Sequence, residues 1–297
     1  MKKTHIKNKH MGNVFSIAVL SILIIYTVSM VCLFGWSFFT SVKTQNEFRT
    51  NVLGLPQQWQ FSNYPYIFGH WVKKVVTTDG IPLDIGMFEQ LLYTIVTVFG
   101  GAAVCVIAHA VMGYVCVNYK CKLSSLIYWI VIITMMLPIV GTQASEMKVV
   151  RAFGIYDNVL GNLVFKFNFL GAYFLVFYAA FGGVSKEYFE AARIDGADDF
   201  AIFFRIMIPL VKNMILTIFL IKFIEFWNDY QTPLLYLPSH PTLAVGLYSI
   251  TTTPTKGLTT TPMRMTACIV MLIPVLILYI CFRDMIMGNV TMGGVKE

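Results

Sequence analysis

Long apolar runs alternate along the chain with shorter polar stretches. A helix needs about 20 mostly apolar residues, at about 1.5 Å of rise each, to cross a hydrocarbon core about 30 Å thick. The first run covers 14–39 and follows Lys2, Lys3, Lys7 and Lys9. Its basic start is like that of a signal peptide. The run is too long for one, however, and no small-x-small cleavage site follows, so it reads as a retained span with Trp36, Phe38 and Phe39 at the far interface. Further runs cover 91–117, 126–141, 169–183, 210–237 and 265–282. Gly100 and Gly101 let the second approach a neighbour closely. Pro138 and Pro274 are tolerated where adjacent helices satisfy the freed carbonyls. Lys166 and Asn168 interrupt the front of the fourth run. The pattern predicts an all-α integral membrane protein, a single transmembrane domain over 1–297 with six spans.

The polar stretches divide into two kinds. A long loop with Trp59, Tyr64, Tyr66 and Trp71, and a second stretch with Glu146, Lys148, Arg151 and Asp157, read as outer segments. The segment 185–209 differs, because it has helical order of its own. Tyr188 to Asp195 suits a short helix, with Glu190 spaced to meet Arg193, and Gly196 can take the left-handed conformation that ends it. Asp198 and Asp199 open a second helix, where negative charge is favoured. Phe200, Phe203, Phe204 and Met207 follow at the spacing of one apolar stripe, and Pro209 ends that helix or starts the next span. Such an elbow either rests on the lipid interface or docks in a partner's groove. Asp195, Asp198 and Asp199 tilt the reading towards protein.

Composition agrees with the pattern. Hydrophobic residues make up 57% of the chain and charged ones 12%, against about 25% charged in soluble domains. The net charge of +7 comes without a basic run interleaved with aromatics, so a nucleic-acid surface is not expected. The N-terminal lysines, with Lys120 and Lys122 in a short turn, place both termini in the cytoplasm by a weak positive-inside bias. Cys32, Cys105, Cys116, Cys121, Cys268 and Cys281 lie in or beside apolar runs, with no C-x-x-C pair and no histidine at ligand spacing. They read as packing residues, and no metal is expected.

No catalytic apparatus is visible. Without a Gly-Lys dipeptide there is no P-loop, and neither H-E-x-x-H nor G-x-S-x-G occurs. An enzyme is therefore not expected, and no cofactor is assigned to this chain. Ionisable groups inside a membrane are costly, so Lys222, Glu225 and Asp229 at i, i+3, i+7 are either an internally paired cluster or a polar wall of a substrate path. The path candidates are Tyr173, Phe177, Glu225, Trp227, Asn228, Asp229 and Gln231. Aromatic residues at such spacing equally serve helix packing, and His109 has no assignable role.

Glu190-Ala191-Ala192, Gly196, and Ile206 with Pro209 resemble the EAA signature of bacterial ABC-importer permeases, with Ile208 where the family often has Leu. Asp195 and Ala197 make the segment similar to the carbohydrate-uptake, maltose-type branch. Further likenesses lie at Trp227-Asn228-Asp229 with Pro233-Leu234, at Pro56, Trp59, Asn63 and Tyr64, and in the glycine-punctuated tail 288–296. The final Glu297, where the family has Gly, and the early Lys166 depart from the pattern.

The resemblance implies a type I ABC-importer permease fold whose loop 185–209 is a cytoplasmic coupling helix seated on an ATPase. Glu190, Ala191, Ala192, Asp195, Gly196, Ala197, Phe200, Phe203 and Phe204 would form that contact. It also implies a homologous second permease, two cytoplasmic ATPase subunits holding ATP and Mg²⁺, an extracellular solute-binding protein and a carbohydrate cargo. The setting would be the bacterial inner membrane. A permease for a non-sugar solute, a self-sufficient secondary carrier and a membrane anchor of a signalling complex are the alternative readings.

Overall fold

The computed structural model describes residues 3–77, 80–119, 121–137, 141–168, 170–253 and 257–290, with side chains between 15 and 283. Lys120, Pro138, Phe169 and the tail from 291 lie outside the described residues, as do the side chains of the N-terminal lysines. In chain order the helices are α1 (Lys3–Ser41), α2 (Gln45–Thr50), α3 (Asn63–His70), α4 (Met87–Asn118), α5 (Lys122–Met136), α6 (Gln143–Ala152) and α7 (Val159–Phe165). After them come α8 (Ala172–Gly182), α9 (Lys186–Ile194), α10 (Asp199–Leu210), α11 (Lys212–Asn228), α12 (Gln231–Tyr236), α13 (Leu243–Thr252) and α14 (Thr261–Val290).

Each of the six apolar runs contains helix, but their lengths differ from expectation. Among the described residues, Phe15–Ser41, Met87–Asn118 and Thr261–Arg283 are long and apolar enough to cross a membrane. A fourth crossing is counted if α10 and α11, bent by 77° at their junction, form one span. The helices of the third and fourth runs are shorter. The fifth run, expected to be continuous over 210–237, stops at Asn228. Asp229 is extended there, and its Oδ1 accepts the Thr232 N–H at 3.0 Å, which caps the restart at α12.

The all-α expectation also needs correction, because an antiparallel hairpin precedes α4. Strand β1 (Val72–Val76) pairs with β2 (Pro82–Gly86), matching Val72 to Gly86 and Val76 to Pro82. The signal was present as a β-branched run ahead of Asp79-Gly80, a strong turn pair. Gly80 has φ +79°, in the left-handed region that the turn requires. Helix α13 was also missed, since an apolar segment of that length is too short to register as a span.

The chain forms two compact units, Met1–His70 with Ile250–Leu272, and Trp71–Ser249 with Ile273–Glu297. In the first, the end of α1 is tied down by polar groups. Thr266 Oγ1 and Asn63 Nδ2 donate to the Ser41 carbonyl at 3.0 and 2.8 Å. Buried Lys43 donates to the carbonyls of Asn51 and Gly54 at 2.7 and 2.6 Å. In the second, α4 packs along α8 and α11. Gly113 makes the α8 crossing possible, since a Cβ there would come within 2.9 Å of Phe177 Cβ and 3.1 Å of backbone. Gly100 and Gly101 give the predicted close approach, against the side chains of Leu163 and Lys166. The cysteines are free, and no group of ligating side chains suited to a metal occurs among the described residues.

Candidate functional site

The elbow is built from local rules. Ser185 caps α9 by accepting the Glu187 N–H at 3.3 Å. At the other end Asp195 is the C-cap and Gly196 has φ +80°. The N–H of Gly196 donates to Arg193 O at 3.1 Å and that of Ala197 to Ala192 O at 3.0 Å, the paired bonds of a Schellman closure. Asp198 then caps α10 by accepting the Ala201 N–H at 2.9 Å. Arg193 does not turn to Glu190, as its spacing allowed. It stacks over the Phe189 ring at 4.6 Å and donates to Asp199 Oδ1 at 3.0 Å, joining the two helices.

Charge supports the same joint. The Asp199 carboxyl is held below its ordinary value by the Tyr119 hydroxyl first and by Arg193 second. Burial, followed by the neighbouring Asp199, pushes the Tyr119 phenol up.

The four residues of the predicted stripe, Phe200, Phe203, Phe204 and Met207, do not share one face. A π-helical stretch at Ile202–Met207 widens the turn and changes the phase of the stripe. Phe203 and Met207 enter the core against Tyr114 and Phe181, while Phe200 and Phe204 are 75% and 61% exposed. Ala192 also faces inward, and Ala197 is half-buried. Glu190, Ala191, Asp195 and Gly196 remain exposed. Ile194, at 86% exposure, and Tyr188 extend this open surface, and neither was singled out in the sequence. Phe200 and Phe204 border a groove of ≈ 340 Å³ whose floor includes Tyr114 and Tyr119.

A second feature is a cavity of ≈ 320 Å³ lined by residues of α4, α8 and α11, the end of α7 and the segment after it, and Asp229 and Thr232 at the start of α12. Its wall includes Tyr173 and Asp229 from the expected path, together with His109, Lys166, Lys222 and Phe226. Lys222 donates to Glu225 Oε2 at 2.8 Å, so the paired reading of that face holds for these two residues. Phe177 and Trp227 are buried in helix packing, Phe177 beside Phe181 and Trp227 stacked on Phe223 at 5.5 Å, and neither lines this cavity. Asn228 and Gln231 are exposed and also lie outside its lining. Lys166 and His109, which the sequence left without a role, are part of it. His109 Nδ1 lies 2.7 Å from the Cys105 carbonyl and its ring meets Tyr173 edge-on at 6.0 Å.

Residues 106–290, which include the elbow and most of the cavity wall, match the family described as "Binding-protein-dependent transport system inner membrane component". The chain belongs to this family. Among similar members, an arabinooligosaccharide transport system permease protein of Bacillus subtilis (strain 168) is 27% identical over 246 residues, covering 81% of this chain and 80% of the relative. A diacetylchitobiose uptake system permease protein of Streptomyces coelicolor (strain ATCC BAA-471 / A3(2) / M145) is 22% identical over 276 residues, covering 92% and 86%. A solved bacterial ABC transporter involved in the import of the acidic polysaccharide alginate contains a chain of the same fold. It has a TM-score of 0.72 at 23% identity, over 92% of this chain and 96% of that one. As a member of the binding-protein-dependent transport family, the chain is a multi-pass inner-membrane component of a transport system.

Proposed function

We propose that the chain is one of two homologous permease subunits of an ATP-driven, binding-protein-dependent ABC importer for a carbohydrate, with an oligosaccharide as the expected cargo. Membership of the family supports the transport role. Its relatives, which include permeases for arabinooligosaccharides, diacetylchitobiose and starch degradation products, support the cargo class. In this reading the chain crosses the membrane six times, with both termini in the cytoplasm. A solute-binding protein delivers substrate outside, and two ATPase subunits bind ATP and Mg²⁺ inside.

The observation that carries the mechanism is the divided elbow. Ala192, Phe203 and Met207 anchor it in the chain's own core, while Tyr188, Ile194, Phe200 and Phe204 stand open beside it. Such an element can be pushed from outside and transmit the displacement to α4 and α8, because packed helices shift between discrete arrangements rather than deforming continuously. Glu190, Ala191, Asp195, Gly196 and Ala197 complete the surface offered to the ATPase. ATP hydrolysis belongs to that partner, and this chain binds no cofactor.

The test is ATPase activity and sugar uptake measured together on the reconstituted importer. Glu190→Lys reverses a charge on the open face and is expected to leave insertion and ATP hydrolysis in place while lowering uptake about tenfold or more. Unchanged uptake would refute the docking role.

A further inference from the structure

The lysine that breaks the fourth apolar run has a setting that helix packing does not explain. Lys166 follows α7, and its stem crosses α4 where Gly101 leaves room, since a Cβ there would lie 2.7 Å from Lys166 Cδ. Its Nζ stands 3.8 Å from the centre of the Phe226 ring and borders the cavity. Its backbone is bonded to Asn162 and Asn168, but among the described residues the Nζ makes neither a hydrogen bond nor an ion pair. Lys222 gathers at the same place, 5.6 Å from the Phe226 ring and 4.9 Å from that of Tyr173, with one bond already made to Glu225. Asp229 is on the same wall but beyond ion-pair distance of Lys166, and its Oδ1 is engaged by the Thr232 N–H.

We propose that this cavity binds the anionic group of an acidic saccharide, a sugar bearing a carboxylate or a phosphate. The inference rests on the carbohydrate reading above and narrows it. A ring face replaces only part of an ammonium's hydration. Two cations about one phenyl ring also repel each other, and an oxyanion between them would relieve both costs through charge-assisted hydrogen bonds. The rest of the wall fits a sugar. Tyr173 supplies an aromatic face, and Asp229, Asn168 and Thr232 supply groups for hydroxyls. The ≈ 320 Å³ volume is at the lower end of ligand pockets, which run from about 300 to 1,000 Å³. If the lysines served only to balance Asp229 and Glu225, neutral and acidic sugars would bind alike.

The experiment uses the assembled importer in nanodiscs without its binding protein. Equilibrium binding is measured for digalacturonate, glucose 6-phosphate and maltose. At least one anionic probe is expected to bind about tenfold or more tightly than maltose, and which one does so separates carboxylate from phosphate. Lys166→Met should abolish that preference and Lys166→Arg should keep it, with maltose affinity equal in both variants as the control for folding. Equal affinities for charged and neutral probes overturn the proposal. So does a preference that survives Lys166→Met, or binding of none of the three. Uptake of any saccharide by the same preparation, once the binding protein and ATP are added, preserves the carbohydrate reading even then. Absence of all saccharide uptake rejects that reading as well.

Discussion

Gly196 is the residue on which the elbow's shape depends. Its φ of +80° is open to glycine and costs an L-residue about 1–2 kcal/mol. No atom lies within 4 Å of where a Cβ would be, so Gly196→Ala tests conformation and not crowding. The substitution is expected to speed protease cleavage within 186–201 by about 5- to 30-fold, measured on the purified assembly. Asp199 plays the complementary electrostatic part. Because its folded value lies below the ordinary 3.8, the stabilisation it provides is complete above the unfolded value and lost as pH falls through the depressed one. This contact therefore gives no pH dependence across the neutral range. Asp199→Asn removes the charge at every pH, and hydrogen exchange at neutral pH should become faster over 186–201; an unchanged rate would show that the Asp199 charge adds nothing to the joint.

Among the elements, α4 organises the second unit. It receives α8 across Gly113, α11 through Phe99 against Phe223 at 4.9 Å, and the elbow through Tyr114 against Phe203 at 4.8 Å. The exposed Phe204 meets Phe203 at 4.9 Å, and Phe203 in turn meets Tyr114 of α4. Gly113→Ala places a methyl against Phe177 where helix backbones meet. It is expected to lower stability by about 1–3 kcal/mol, read as a lower melting temperature of the detergent-purified assembly. A melting temperature equal to wild type would mean that the α4–α8 crossing yields freely. The π-helical stretches, at Val96–Gly100 in α4 and Ile202–Met207 in α10, carry two of these contacts, Phe99 against Phe223 and Phe203 against Tyr114.

At the scale of the whole molecule, the chain is one component of a binding-protein-dependent transport system, and the proposed function assigns the energy of transport to separate ATPase subunits. The chain reconstituted alone should therefore show no concentrative uptake under an ion gradient. Uptake should appear when the second permease, the ATPase subunits, the binding protein and ATP are all present. Solute accumulation by the isolated chain would restore the secondary-carrier reading.

Much of this was legible in one dimension, because the rules that decide it act over a few residues. The apolar runs, the acidic first turn at Asp198 and Asp199 and the Gly196 closure all depend on spacing and local backbone chemistry. The hairpin of β1 and β2 was equally local but was passed over within a long outer loop. The division of the α10 stripe could not be read, because a π-turn changes the helical phase without altering the order of residues. The break after Asn228 likewise depends on a carboxylate capping the next segment within an otherwise apolar run. The cavity is the plainest case of tertiary control. Lys222 and Phe226 are neighbours on α11, but Lys166 and Tyr173 reach them only because separate helices pack together, with Gly101 leaving room for Lys166 and Gly113 for α8.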